Sequence, residues 1–214
     1  SFSYKKLMKK IAIIGAGISG LYLANLLEKN PNYDYKIFEK NSKFDFDDGY
    51  GIQLSINSIR LLNCIGFKKV NPSDIVFPKM VNFFDAKSCN KICGIDISNF
   101  NFEDNRYATL KRSTLIKFLL NNLPAKKIIK NIQPYNIENS EKIAIYYANN
   151  LKEEFDYLVI SDGVFSKTKP IITNKENNLK FYNSVALRGS IENIKMSDIS
   201  IYLGPNFHFV IYPI

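Results

Sequence analysis

The order of apolar and polar residues along the chain predicts an alternation of strands and helices. Lys10 to Ile14 forms a short, continuous apolar run, the pattern of a strand buried on both faces. Leu21, Leu23, Ala24, Leu26 and Leu27 then recur at helical spacing, and Asn30-Pro31-Asn32 ends that helix. Tyr35 to Glu39 reads as a second strand. Strand, glycine turn, helix and strand make a βαβ unit, which implies a parallel sheet and a right-handed crossover. Asn41 to Gly51 is a polar loop. Ser55 to Ile65 returns to helical spacing, with Ile59, Leu62 and Ile65 on one face and Gly66 as its stop. Phe77 to Ile97 alternates in places, as an antiparallel strand pair does. A further helix is expected over Arg112 to Leu123, with Ser113 as its N-cap and Leu115, Phe118, Leu119 and Leu120 buried. Lys127 to Ile132, Ile143 to Tyr147 and Tyr157 to Ile160 read as three more strands, and Lys180 to Ile214 as strand-rich. Neither an internal repeat nor a low-complexity linker interrupts the pattern.

Composition narrows the partners more than the fold. A chain of 214 residues suits one large domain or two small ones, at roughly 100–200 residues per domain. A hydrophobic fraction of 46% and a charged fraction of 23% are ordinary for a soluble globular protein. The net charge of +9 would attract an anionic cofactor, an acidic membrane surface or nucleic acid. The lysines are spread along the chain instead of forming a stripe with interleaved aromatics, which argues against nucleic acid. Lys126, Lys127 and Lys130, the densest late group, read as a solvated edge.

Three cysteines do not make a disulfide framework and suit a reducing compartment, the cytoplasm. Cys89 and Cys93 lack the second Cys/His pair that zinc needs, so no metal is expected and both are read as half-buried. Met8-Lys9-Lys10 before the apolar run Ile11 to Leu27 imitates a signal peptide. The three spaced glycines and the ending Glu28-Lys29-Asn30 favour strand, turn and helix instead; Met8 reads as the natural start and Ser1 to Leu7 as upstream sequence. No later stretch is long and apolar enough to span a bilayer.

The chemistry begins at Gly15-Ala16-Gly17-Ile18-Ser19-Gly20, a G-x-G-x-x-G directly after a strand. The first glycine permits a tight turn, the second lets backbone approach a pyrophosphate, and the third lets helix and strand pack closely. The helix N-terminus then offers N–H groups and partial positive charge to the phosphates. Glu39, followed by Lys40, ends the second strand, where an acidic residue roughly 20 residues beyond the turn accepts ribose hydroxyls. These residues point to a dinucleotide site and leave FAD and NAD both open.

Ile11 to Gly20, Glu39 and Gly49-Tyr50-Gly51-Ile52-Gln53-Leu54 together resemble the opening of the flavoprotein aromatic hydroxylases, the family of the salicylate, hydroxybenzoate and ubiquinone-pathway hydroxylases. Asn57, Leu61-Leu62 and Gly66-Phe67 continue the likeness, and Arg112 sits where that family has an arginine near the flavin nucleotide. Asp156 to Ser166 resembles the family's D-x5-D-G-x-x-S segment, which serves FAD and the pyridine nucleotide. Ile160-Ser161 and Lys169 stand where the family usually has small residues and an arginine. Val185-Ala186-Leu187-Arg188-Gly189 and Gly204 to Pro213 resemble two later segments of salicylate-hydroxylase-like members.

The resemblance implies an α/β fold: a Rossmann-like FAD-binding domain of the GR2 type with an inserted β-rich substrate domain, the chain stopping before the pattern is complete. The expected division is 1–70 and 107–170 for the FAD-binding domain, 71–106 for the insertion and 171–214 for the start of the substrate sheet. It implies FAD as cofactor and NADH or NADPH as transient reductant. The substrates would be O2 and a small aromatic or quinone-like ring, and peripheral membrane contact stays open. Cofactor contacts are expected from Gly15, Ala16, Gly17, Ile18, Ser19, Gly20, Glu39, Lys40, Gly51, Arg112, Ile132, Asp162 and Gly163. His208, the single histidine, is of the residue type that serves as a general base near neutral pH and could take a phenol proton. A regular strand would put it on one face with Tyr212, and both are expected to line the substrate side. The competing readings are another FAD oxidoreductase of this fold (a reductase, halogenase or epoxidase) and a non-catalytic nucleotide-binding fragment.

Overall fold

Ile11, Ala12, Ile13 and Ile14 are all buried, as a strand covered on both faces requires. They form the heart of the first strand in a computed structural model that describes residues 7–44, 50–148 and 151–214. Gly49 of the Gly-Tyr-Gly block, part of the Asn41 to Gly51 loop and Ser1 to Lys6 lie outside the described residues. The elements up to the middle of the chain are β1 (Lys9–Ile14), α1 (Ile18–Glu28), β2 (Tyr33–Phe38), β3 (Gly51–Leu54), α2 (Ile56–Asn63), β4 (Met80–Asp85), β5 (Lys91–Asp96), β6 (Ala108–Lys111) and α3 (Arg112–Asn121). They continue as β7 (Ile128–Ile129), β8 (Pro134–Asn139), β9 (Ile143–Tyr147), β10 (Leu151–Phe155), β11 (Tyr157–Ile160), α4 (Thr168–Thr173), β12 (Ile199–Leu203) and β13 (His208–Ile211).

The chain divides into two compact units, residues 1–45 with 119–186 and residues 46–118 with 187–214. In the first, a parallel sheet runs in the order β11-β1-β2-β7. This is the Rossmann-like core that the βαβ pattern predicts. Ala12 and Ile14 on one face of β1 pack with Phe38, Ile145, Tyr147 and Phe155, which seats the antiparallel sheet β10-β9-β8 against the parallel one. Phe38 and Tyr147 stack with ring centroids 4.8 Å apart, worth about 1 kcal/mol beyond their buried area. Leu21 and Ala24 of α1 are fully buried, and the buried Asn25 donates to the carbonyls of Leu21 and Leu119 at 2.8 and 3.0 Å.

The second unit holds a mixed sheet, β13-β12-β4-β5, in which β12 runs parallel to β4 although far from it in sequence. It also holds the antiparallel pair β3-β6. The pair expected within Phe77 to Ile97 is present as β4 and β5, and Gly66, at φ +98°, ends the α2 region as expected.

Several expectations change. The third helix begins at Arg112, so Ser113 lies inside its first turn and is not the cap. Its buried residues are Leu115, Ile116 and Leu119, with Phe118 and Leu120 only half-buried. The strand expected over Lys127 to Ile132 shrinks to Ile128–Ile129, because Asn131 turns the chain at φ +55°. Lys127 is no solvated edge: its Nζ sits 4.2 Å from the Tyr35 ring centre and pairs with Glu28 and Asp34 at 3.2 and 3.5 Å. From Lys180 to Ser197 no regular strand forms, and Phe181, Val185, Leu187 and Ile191 stay exposed; apolar residues without a pairing partner do not make a sheet. Cys89 and Cys93 are exposed, one in the β4–β5 turn at φ +58°, the other on β5, all of whose residues are exposed.

Candidate functional site

The carboxyl ends of β1, β2 and β11 meet at the glycine turn, and backbone geometry there explains each glycine. Gly15 has φ +101°, and a Cβ on it would lie 2.5 Å from the Ser161 carbonyl oxygen and 2.8 Å from Asp162 Cα. A Cβ on Gly20 would collide with the Gly15 carbonyl oxygen and come 2.7 Å from Ser161 Oγ. Gly17 is different: at φ −76° and with nothing within 4 Å of its Cβ direction, it packs against no protein atom. Two glycines therefore let protein meet protein, and the middle one keeps open ground.

Gly17 is also the N-cap of α1, and no side chain caps that helix. No acidic residue occupies its first turn. The N–H groups of Ile18, Ser19 and Gly20 have no acceptor within the helix, and the dipole adds partial positive charge. Glu39 closes the opposite side. It is 9% exposed, its Oε2 accepts from the Ala16 N–H at 2.9 Å and its Oε1 from the Asn41 N–H at 2.9 Å. Ile132 donates its N–H to the Glu39 carbonyl at 3.1 Å, which brings it beside the acidic residue, while Lys40 is exposed.

Asp162 follows β11 at the same edge. Its Oδ2 accepts from the Thr168 N–H at 3.2 Å. Its Oδ1 is buried and has no hydrogen-bond partner among the described residues, nor has the Thr168 hydroxyl. Gly163, at φ +84°, turns the chain away with open space beside it. Sequence reasoning treats Ser161 only as a departure from the family pattern. Its hydroxyl in fact donates towards the carbonyls of Ile14 and Gly15, at 2.9 and 3.1 Å, tying β11 to the glycine turn. A polar residue where a small apolar one is usual was the available signal.

A dinucleotide fits this arrangement. Open ground lies at Gly17 where a Cβ would otherwise stand, an uncapped helix pole faces it, and one buried carboxylate oxygen waits for a donor. Phosphates suit the first two, and a ribose or ribityl hydroxyl suits the third.

In the second unit, Arg112 donates its N–H to the Tyr50 carbonyl at 3.1 Å. Its guanidinium lies 5.7 Å from the Tyr50 ring centre, and that of Arg188 lies 5.0 Å from the same ring. Gly51 has a packing reason: a Cβ there would meet Tyr212 Cε2 at 2.6 Å and Ile214 Cγ2 at 2.7 Å. Burial raises the Tyr212 phenol pKa, with Arg188 opposing; burial and then Tyr212 raise that of Tyr107, whose hydroxyl donates to Gln53 at 2.7 Å. An open cavity of about 360 Å³ is lined by Ser55, Ile56, Asn57, Ile97, Phe100 and Tyr107. His208 opens β13, exposed and paired with Leu203. That strand closes at Ile211, so its alternation stops one residue short of Tyr212. Among the described residues no His/Cys/Asp/Glu group could hold a metal, and no helix is long and apolar enough to cross a membrane.

Residues 13–44 match the family described as NAD(P)-binding Rossmann-like domain. The chain is 28% identical over 176 residues to the FAD-dependent monooxygenase verC1 of Penicillium polonicum, covering 75% of this chain and 20% of that protein. It is 23% identical over 217 residues to 3-amino-4-hydroxybenzoate 2-monooxygenase of Streptomyces cremeus, covering 96% of this chain and 53% of the relative. Among solved structures, HpxO of Klebsiella pneumoniae, complexed with FAD and uric acid, superposes with a TM-score of 0.68 at 17% identity, over 79% of this chain and 43% of that one. The 2,6-dihydroxypyridine-3-hydroxylase of Arthrobacter nicotinovorans superposes at 0.64 with 17% identity, over 79% and 40%. The shared architecture is the α/β fold with its Rossmann-like parallel sheet. In sequence the chain is similar to FAD-dependent monooxygenases, and it spans between 20% and 46% of the length of verC1 and three further relatives of that description.

Proposed function

We propose that this chain is the FAD-binding part of a monooxygenase that hydroxylates an electron-rich aromatic or quinone-like ring, with NADH or NADPH as reductant and O2 as co-substrate. The observation that carries the reading is the cradle around Gly17: open backbone, an uncapped helix pole and the buried, unpartnered Oδ1 of Asp162. FAD, when bound, supplies the hydride acceptance and oxygen activation that side chains cannot.

The chain's own residues hold and orient. The N–H groups of Gly17, Ile18, Ser19 and Gly20 take the pyrophosphate, and Gly15 keeps the turn tight enough for them to converge. Glu39, its carboxylate fixed by the Ala16 and Asn41 N–H groups, keeps further lone pairs for ribose hydroxyls, with Ile132 and Lys40 beside it. Asp162 accepts from the cofactor through Oδ1, and Gly163 clears the chain from its path. His208 takes the ring hydroxyl's proton, and Tyr212, a neutral phenol, donates to the ring's oxygen.

Three exposed cysteines support a reducing compartment, the cytoplasm. The charge of +9 favours contact with anionic surfaces, including a membrane holding a lipid-tailed ring. The test is to load the intact protein with FAD, remove free cofactor and record the visible spectrum. Retained, shifted flavin and ring-dependent oxygen uptake with NAD(P)H are the expected results; a folded protein that keeps no flavin would overturn the reading.

A further inference from the structure

The loop that presents Asp162 is held from outside the Asp-Gly motif. After β11 the chain turns at Gly163, whose carbonyl accepts from the Ser166 N–H at 3.1 Å. Ser166, buried, accepts from the Lys169 N–H through its hydroxyl at 3.0 Å. α4 then runs for six residues and stops at Asn174, in the left-handed region at φ +50°. That stop sends the chain back, and Asn177 returns to the loop. Its Nδ2 donates to the Val164 carbonyl at 3.1 Å and to the Ser166 carbonyl at 3.3 Å. One side-chain amide thus bridges two loop carbonyls, one on either side of Phe165.

The exposure of the surrounding residues shows why such a bridge matters. Val164 and Phe165 are 67% and 72% exposed, so apolar packing does not hold this loop. Its geometry depends on hydrogen bonds: Thr168 N–H to Asp162 Oδ2, Ser166 N–H to Gly163, and the two from Asn177. Without them the Asp162 carboxylate would turn to water, as a half-exposed carboxylate does by default.

We propose that Asn177 is a positioning residue for the cofactor: by clamping the Val164 and Ser166 carbonyls it fixes the loop so that Asp162 keeps Oδ2 on Thr168 and presents Oδ1 to FAD. This rests on the FAD reading above. The clamp acts through hydrogen-bond donors, so the nearly isosteric Asn177→Asp, which keeps the shape and loses the donors, separates it from mere packing.

The experiment uses wild type, Asn177→Asp, Asn177→Ala and Asp162→Asn in the intact protein. In the cofactor-free state, amide exchange is read at Ser166 and Thr168; FAD Kd is read by fluorescence titration, with Tm as a check on folding. Both Asn177 variants are expected to exchange those two amides about tenfold faster and to bind FAD about tenfold more weakly, the scale of one or two net hydrogen bonds, with Tm nearly unchanged. Asp162→Asn should weaken FAD binding comparably without the Ser166 effect. Asn177→Asp that behaves as wild type overturns the proposal and leaves a packing role. Faster exchange with unchanged Kd also overturns it, since the clamp would then position nothing. A wild type that binds no FAD sinks the cofactor reading and the positioning role with it, while the exchange data still report whether Asn177 holds the loop.

Discussion

β11 carries an aspartate just before its first residue and another two residues beyond its last, and the two are held in opposite ways. Asp156, at the entry, is fully engaged. Its Oδ2 accepts from the Lys10 N–H at 2.8 Å, and its Oδ1 pairs with Lys9 and Lys142 at 3.1 and 3.2 Å. Its own N–H donates to the Lys10 carbonyl at 2.8 Å. Asp162, at the exit, has one oxygen satisfied and one buried without a partner among the described residues. The entry aspartate knits β11 to β1 and has nothing left to offer. The exit aspartate is incomplete within the chain, and it stands at the carboxyl edge, where open α/β sheets take their ligands. On the function proposed above, unfinished hydrogen bonding marks the working end of the strand and saturated hydrogen bonding the structural end.

The sharpest way to break this contrast is to remove the close approach at the working end. Gly15→Ala should have the largest effect. The residue sits at φ +101°, and its Cβ would run into the backbone of Ser161 and Asp162. We expect a loss of about 3 kcal/mol in urea unfolding, with no FAD retained. Gly17→Ala is the control: it has neither strain nor a protein neighbour. Its unfolding should match wild type while FAD affinity falls at least roughly tenfold, because the methyl group occupies the cofactor's ground. Equal unfolding losses in the two variants would erase the distinction between a packing glycine and a binding glycine.

Glu39→Ala comes next. It removes the acceptor of two backbone N–H groups as well as the proposed ribose contact. About 2 kcal/mol of stability and about a hundredfold in FAD affinity should go together. Glu39→Gln keeps an acceptor for one of the two N–H groups and sets its NH2 against the other, so it should lose less stability than Glu39→Ala while still losing affinity. A Glu39→Ala variant that binds FAD as well as wild type would remove the ribose assignment.

These contrasts also show what was readable from sequence. The glycine turn was readable because strand, turn and helix impose glycine for steric reasons, and Gly15 and Gly20 carry those reasons in full. The parallel order of β1 and β2 followed from the same unit. Asp156 to Ser166 resembled one block, yet the structure divides it into a strand-end clamp and an exposed loop, because hydrogen-bond partners such as Lys10 and Asn177 are distant in sequence or outside the motif. β8 and β10, with the sequences Pro-Tyr-Asn-Ile-Glu-Asn and Leu-Lys-Glu-Glu-Phe, were missed because their polar residues mask any alternation. Their pairing with β9 is what makes them strands. The strand-rich reading of Lys180 to Ile214 holds in β12 and β13 and fails over Lys180 to Ser197: apolar composition alone reads as strand, and pairing decides.

Asp156→Asn should have the smallest effect and is the cleanest test of the structural end. The Lys10 N–H first, and then the Lys9 ammonium, against some opposition from burial and with help from Lys142, hold the Asp156 pKa down to about 2 from an ordinary 3.8. A carboxylate whose pKa is depressed in the folded state stabilises the fold above its unfolded value, and that contribution is lost as pH falls through the folded value. Wild type should therefore lose stability between about pH 4 and pH 2 along a slope that Asp156→Asn lacks. At pH 7 the variant's urea midpoint should lie below that of wild type, and the two should converge near pH 2. FAD affinity at pH 7 should be unchanged, because the proposed cofactor site lies at the other end of β11. A variant that unfolds normally but loses flavin would mean that the two ends of the strand are not divided in their work, and that Asp156 reaches the cofactor edge through β11 itself.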